Sequence, residues 1–390
     1  MIDIIIFIFI LGVLVLIHEL GHFIAAKKNG VKVEEFGFGF PPRLWGIKRG
    51  ETLYSVNLIP IGGFVKVFGE EYQEKDKKQI SEQQKKRTFI YKKPWQKVII
   101  LLAGVIMNVL LAILIYYGLL LANNFQSDPL PLFNNYSFKF GSKSIQVAAQ
   151  NIIPDSPAAK VNIQSGDIIL RYRLKTMTSW EQINGAKELI NIIKARKDEP
   201  VTLGLKNIHD GKTKTVTVYP QYDNKLKRAV IGVNLVDLAV ISYQKPIEKL
   251  TVGFLHSYNI LEYNYKTIAS LVSISIQEKT VEPVSQAVSG PIGIFAVIHE
   301  VVKTSGPKLI SNLLNVMAMI SLSLGFINIL PLPALDGGRL VFVIYEWLTG
   351  KRANATIEKY VNIAGIILLL TLALLTTVND LIKFTLYFSK

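Results

Sequence analysis

Four long stretches of this chain carry almost no charge, and that feature restricts its fold more than any other. Residues 98–127, 309–335 and 360–379 contain no Asp, Glu, Lys, Arg or His, and residues 4–26 contain only His18, Glu19 and His22. A helix needs about 20 mostly apolar residues to cross the roughly 30 Å hydrocarbon core of a bilayer. Each stretch meets that length, and four together point to membrane spans rather than buried core helices. The first lacks the basic leading segment of a cleaved signal peptide, since its first Lys is Lys27. No small-residue cleavage site follows it either, so it reads as a retained helix.

Charge sets the orientation. Only 19% of residues are charged, against about 25% in soluble domains. The balance is basic, 44 Lys plus Arg against 29 Asp plus Glu. Such an excess serves nucleic-acid binders and also loops that face anionic lipid. Its placement decides between them. Between residues 26 and 97 there are 16 Lys or Arg against 8 Asp or Glu, including Lys77–Lys78 and Lys85–Lys86–Arg87. Lys351, Arg352 and Lys359 lie between the last two stretches. The positive-inside rule puts both loops in the cytoplasm, and so puts both termini and residues 128–308 outside. A nucleic-acid partner is not expected. The absence of Cys excludes disulfides, iron–sulfur clusters and a thiol nucleophile.

Between the spans, residues 54–69 have β-rich flanks around Pro60 and Gly62–Gly63, the pattern of a hairpin whose turn the glycines supply. From Asn151 the sequence NIIPDSPAAKVNIQSGDIIL precedes a helical pattern around Trp180–Lys194 and strands at Val201–Leu205 and Thr213–Tyr219. This SPAA…GDII pattern resembles a PDZ domain and occurs once. Residues 244–278 read as an amphipathic helix near the membrane interface.

The chemistry concentrates in His18-Glu19-Leu20-Gly21-His22. On a helix the two His lie one turn, about 6 Å, apart on one face, where they can grip one Zn²⁺. The adjacent Glu can act as general base towards water. Ionisable groups at the centre of a span cost on the order of 2.5–3.5 kcal/mol each, and a metal offsets that cost. A catalytic zinc takes a third protein ligand. His18 lies roughly 21 Å along the helix from Ile4 at 1.5 Å per residue, nearer the cytoplasmic side. The third span runs the same way and ends in Asn328-Ile-Leu-Pro-Leu-Pro-Ala-Leu-Asp336-Gly-Gly-Arg339, so Asp336 reaches a matching depth. The alternative for Asp336 is a turn residue before Gly337–Gly338. His209, His256 and His299 fall in the external segment and are poor rivals. Helices two and four contain no His for a serine mechanism, and the uncharged stretches provide no second buried Asp for an aspartyl one.

Taken together, HELGHFIAAKKNGVKVEEFGFGF, PIGGFVKVFGE, Gly104 to Asn108, Gly290–Ile294 and NILPLPALDGGRL resemble the site-2 proteases, intramembrane zinc metalloproteases, and in particular their bacterial RseP-type branch. The resemblance implies that His18, His22 and Asp336 bind zinc and that Glu19 is catalytic. It further implies that Asn328 and Asn108 position substrate, and that Gly62 and Gly63 belong to a membrane re-entrant β-hairpin. The chain departs from the pattern in carrying Val105 where relatives often have Pro, and in showing one PDZ signature where some carry two.

The expectation is therefore a polytopic α-helical membrane protein of the bacterial cytoplasmic membrane, with four spans, a re-entrant β-hairpin and one external PDZ-like α/β domain. Residues 1–26 form the first span and 27–96 the cytoplasmic and re-entrant loop. Residues 97–122 form the second span, 123–241 the PDZ-like domain and 242–308 an amphipathic connector. Residues 309–348 form the third span with the LDG motif, and 359–381 the fourth. Expected partners are the lipid bilayer and transmembrane protein substrates, such as a trimmed anti-sigma factor or remnant signal peptides, with the PDZ-like domain touching a substrate or its terminus. A non-enzymatic PDZ scaffold would have no need of the full His18, Glu19, His22 and Asp336 set. A zinc transporter would commonly show internal repeats, and none is detected.

Overall fold

The computed structural model describes residues 2–70, 81–208, 211–287 and 289–388; Lys77–Lys78 and His209 lie outside them. In chain order the elements are α1 (Ile2–Lys28), β1 (Val33–Arg49), β2 (Thr52–Val67), α2 (Glu82–Lys85), α3 (Pro94–Ala122), β3 (Leu130–Pro131), β4 (Ser142–Ile152) and α4 (Pro157–Lys160). There follow β5 (Asp167–Leu174), β6 (Glu181–Gln182), α5 (Ala186–Lys194), β7 (Val201–Asn207), β8 (Thr213–Val218), β9 (Gln221–Asp223), β10 (Arg228–Val230) and β11 (Val233–Ser242). The chain closes with α6 (Pro246–Leu250), α7 (Val252–Glu278), α8 (Glu282–Ala287), α9 (Pro291–Thr304), α10 (Leu309–Ile329), α11 (Asp336–Thr349) and α12 (Ala355–Phe388). Two compact units result. One comprises Met1–Tyr116, Ile268–Val302 and Leu313–Lys390, the other Tyr117–Thr267 and Lys303–Asn312.

Four helices are long and apolar enough to cross a membrane: Ile2–Lys28, Pro94–Ala122, Gly306–Ile329 and Ala355–Ile382. They are apolar all round, as a helix solvated by lipid should be. On α12, Ile367, Leu370, Leu374 and Leu375 are exposed, a density of bare aliphatic side chains that water would not tolerate.

In the first unit, α1 and α3 approach closely through glycine. A Cβ on Gly21 would lie 2.3 Å from the Ala103 carbonyl oxygen, so any side chain there would push the helices apart. Ile10 and Leu14 of α1 pack with Ile298 of α9 and Ile320 of α10. Asp380 of α12, 4% exposed, accepts hydrogen bonds from the Gly290 and Gly293 backbone N–H groups at 2.9 and 2.8 Å. It thereby satisfies otherwise unpaired donors at the start of α9.

The β-sheet of this unit departs from the expected hairpin over 54–69. The chain reverses at Gly50, in the left-handed region at φ 60°. The two flanks of Gly62–Gly63 do not pair with each other. Phe36 pairs with both Tyr54 and Val65, and Gly37 with both Ser55 and Phe64, so residues 35–38 lie between the flanks. The preference of Gly for a positive φ was legible in sequence, whereas a third segment inserting between two strands is a non-local event. Gly62, at φ 92°, bends the strand instead, and a Cβ on it would strike the Phe40 ring at 2.6 Å.

The run expected as one span over 309–348 is two helices. Pro331 and Pro333 cannot donate the backbone bonds a continuing helix requires. The Leu330–Leu335 turn passes through Ala334 at φ 71°, and α11 begins afresh at Asp336. Gly337 and Gly338 allow the reversal, since Cβ atoms on them would lie 2.1 Å from the Leu330 and 2.3 Å from the Leu332 carbonyl oxygens.

The second unit is built on a sheet of order β3-β11-β4-β5-β7-β8, with β6 on β5 and a separate β9–β10 pair. Its core gathers Val147, Ile169, Leu189, Leu203, Leu205 and Val218. Helix α5 buries Ala186, Leu189 and Ile193, the spacing of one helical face. It starts later than the pattern from Trp180 implied, because Glu181–Gln182 pair with β5 and Asp237 accepts from the Ala186 N–H at 2.6 Å.

A polar chain ties α7 to this sheet. The Asn259 amide donates to the Tyr243 hydroxyl at 2.9 Å, and that hydroxyl lies 3.1 Å from His256 Nδ1. Asn259, Tyr243 and His256 thus form one buried hydrogen-bonded chain. Burial holds His256 down to about 4, against about 6.5 in an unfolded chain. Between those values the unfolded state binds a proton that the native state does not. Stability should therefore be intact above about pH 6.5 and fall as pH drops towards 4, by on the order of 3 kcal/mol in total. Thermal melting across pH 4–8 should show this slope, and His256→Gln should lack it. Equal slopes in both proteins would rule out His256 as its source.

Candidate metal centre

His18 and His22 lie on α1 with ring centroids 4.8 Å apart, each 9% exposed. Asp336, the first residue of α11, meets them. Its Oδ2 lies 3.1 Å from His18 Nε2 and 3.2 Å from His22 Nε2, and the two Nε2 atoms are 3.2 Å apart. The helix break described above is what turns Asp336 towards α1.

The donor atoms fit a metal. His22 Nδ1 lies 2.8 Å from the Ile100 carbonyl oxygen, which can only accept, so Nδ1 carries a proton and the neutral ring offers its lone pair at Nε2. Asp336 Oδ2 is buried without a hydrogen bond. A carboxylate oxygen and two ring nitrogens thus form a triangle with edges of 3.1–3.2 Å. Ligands at 2.0–2.1 Å from a tetrahedral zinc would lie about 3.3 Å apart. Among the described residues this is the one group of three or more such side chains that could hold an ion.

Helix α3 makes room for the triangle. A Cβ on Gly104 would lie 2.4 Å from His22 Nε2 and 2.6 Å from His18 Cε1. One turn further, Asn108 is fully buried, and its amide nitrogen lies 3.4 Å from His18 Nδ1. A cavity of about 630 Å³ opens beside the site, lined among others by His18, Glu19, His22, Asp336, the Phe64–Glu70 segment and Arg339. Glu19 reaches it from the same helix turn as the His pair, and a Cβ on Gly63 would lie 3.4 Å from Glu19 Cγ. Arg339 pairs with Glu70 at the cavity wall.

Of the residues expected from sequence, His18, Glu19, His22 and Asp336 come together, Asn108 and Gly63 border them, and Gly62 shapes the bend before Gly63. Asn328 sits half-buried in the last turn of α10 and is not among the residues lining the cavity. The Ile100 carbonyl was not foreseen, because a backbone acceptor leaves no trace in residue identity. Gly104 was visible as a small residue one turn before Asn108.

Peptidase family M50 is matched over residues 6–372. The chain belongs to this family, the site-2 proteases. Two clostridial proteins, each named "Putative zinc metalloprotease", are similar to it. The one from Clostridium acetobutylicum is 33% identical over 97% of both chains. The one from Clostridium perfringens is 30% identical over 95% of both. Zinc metalloprotease RasP of Geobacillus kaustophilus is 27% identical, covering 98% of each chain. This site-2 protease is therefore a zinc-dependent metalloendopeptidase, and its four apolar helices make it a multi-pass membrane protein.

Proposed function

We propose that the protein hydrolyses peptide bonds within or beside the transmembrane segments of other membrane proteins, with His18, His22 and Asp336 holding zinc and Glu19 as the catalytic base. The observation that carries this reading is the closing of the His18–His22–Asp336 triangle on an apolar spanning helix, next to a cavity that Glu19 lines. Zinc, when bound, supplies Lewis-acid polarisation of the carbonyl under attack and acidifies water. Glu19 takes the proton from the attacking water and returns it to the leaving amine. The Ile100 carbonyl fixes the tautomer of His22.

A helical substrate hides its peptide bonds in its own hydrogen bonds, so it must unwind before attack. Residues 63–67 pair on one side with 33–38, and residues 64–67 line the cavity. That supports their use as an edge onto which an unwound segment adds as a strand. Insertion of the hairpin into the bilayer is supported by its bare apolar side chains, Leu44, Trp45, Ile47, Leu58 and Ile59. Asn328 remains a candidate for contacting substrate. The seven-stranded sheet with α4 and α5 supports the PDZ-like reading of residues 123–241. The basic loop over 27–96 supports a cytoplasmic hairpin, with the PDZ-like domain and both termini outside. Substrates of this class include a trimmed membrane-anchored regulator or a remnant signal peptide.

Metal analysis of the purified protein should give about one zinc per chain, and a model transmembrane substrate should be cut only by the loaded form. Asp336→Asn keeps the size but removes the charge of a direct donor, so zinc affinity should fall by more than the roughly 10–100-fold that loss of an outer-shell partner costs. Zinc-edge X-ray absorption should show two imidazoles and oxygen ligands. A third imidazole, or full zinc occupancy in Asp336→Asn, would place the third ligand elsewhere.

A further inference from the structure

The site-lining face of α3 holds a polar group that catalysis by His18, Glu19, His22 and Asp336 does not use. Asn108 is 0% exposed, and its Oδ1 is buried without a hydrogen-bond partner. Its Nδ2 faces His18 Nδ1 at 3.4 Å. Its backbone carbonyl is held by the Ser321 hydroxyl at 2.8 Å, which anchors this turn of α3 against α10.

The chemistry of the two rings decides how the carboxamide sits. His18 Nε2 points at Asp336 Oδ2 and His22 Nε2, the atoms that converge on the metal position. A neutral imidazole that offers a lone pair at Nε2 carries its proton at Nδ1. An amide NH₂ facing Nδ1 would set two donors against each other, or drive the proton to Nε2 and block the ligand atom. The oxygen and nitrogen of a carboxamide are nearly isosteric, and their assignment follows from the hydrogen bonds. With Nδ2 towards His18, Oδ1 is left without a partner. Only the orientation with Oδ1 towards His18 leaves the Nε2 lone pair free.

We propose that Asn108 is a positioning residue for the metal centre, its side-chain oxygen accepting the Nδ1 proton of His18 and so holding His18 in the tautomer and ring orientation that can bind zinc through Nε2. His18 then has in Asn108 what His22 has in the Ile100 carbonyl, 2.8 Å from its Nδ1. One turn of α3 serves both tasks: Gly104 leaves the space into which the rings fit, and Asn108 supplies the acceptor at its edge. The role acts through a ligand, distinct from contact with substrate. It rests on the assignment of His18 as a zinc ligand.

The test compares zinc affinity, by chelator competition on the purified full-length protein, in wild type, Asn108→Leu, Asn108→Asp and His18→Ala. Asn108→Leu keeps the bulk but has no acceptor, and its zinc affinity should drop roughly 10–100-fold. Asn108→Asp keeps the acceptor and should bind zinc within a few-fold of wild type. Wild-type affinity in Asn108→Leu, or equal losses in Leu and Asp, would overturn the proposal. Undiminished zinc in His18→Ala would instead overturn the ligand assignment beneath it. Should Asn108→Leu not fold, ¹⁵N-histidine spectra of the zinc-free wild type decide the matter, with the His18 signals assigned by their loss in His18→Ala. A protonated Nδ1 is expected, and a protonated Nε2 would overturn the proposal.

Discussion

Glu19→Gln is expected to silence cleavage while leaving zinc bound. The carboxamide matches the carboxylate in size, and Glu19 is not part of the His18–His22–Asp336 triangle, so the donor set should survive. What disappears is a group that can take a proton from water at neutral pH. General-base contributions run to about 10²–10⁴-fold in rate, and the loss should fall in kcat more than in KM, because the proton moves only in the transition state. Metal content near that of wild type, with turnover reduced at least about 100-fold, is the expected pair of readings. Wild-type turnover would remove Glu19 from the mechanism, and loss of zinc would mean that Glu19 belongs to the donor set.

The second large effect comes from a residue with no chemistry of its own. Gly104→Ala places a methyl group 2.4 Å from His22 Nε2 and 2.6 Å from His18 Cε1, well inside van der Waals contact. Either α3 retreats from α1 or the two rings swing out of register with Asp336, and both spoil a triangle whose edges are 3.1–3.2 Å. Zinc affinity should fall roughly 100-fold or more, comparable to loss of a residue that orients a ligand. Gly118→Ala on the same helix is the control, because a Cβ there meets nothing within 4 Å, and Ala favours a helix by up to about 1 kcal/mol over Gly. Wild-type zinc affinity in Gly104→Ala would show that the helices can separate without harm to the site.

The parts of this protein legible in its sequence are those governed by local rules. The spans follow from runs without charge, and the His18–His22 face follows from helical periodicity alone. Asp336 could be paired with them because charge bias fixes the direction of each span and so the depth of its end. The turn of the hairpin is not legible locally because its register depends on residues 35–38 inserting between the flanks of Gly62–Gly63, and no local pattern encodes that. The same limit applies to β11, whose partner β4 lies far back in the chain. In the site, the Ile100 carbonyl was hidden because any residue would supply it. Asn108 was visible as a polar group in an apolar helix, but its task depends on which ring nitrogen it faces.

The proposed zinc ligands also impose an order on the making of the enzyme. His18, Glu19 and His22 leave the ribosome well before Asp336, which follows only after the whole seven-stranded unit has been translated. A nascent protein therefore carries two of the three proposed donors while that unit is made. A catalytic zinc takes three protein ligands, and two histidines supply only two of them. The half-made protease thus threads through the insertion machinery, among the membrane segments of other proteins, with its catalytic centre incomplete. On the proposed ligand set, Asp336 closes the site only when the spans that contain it have been assembled.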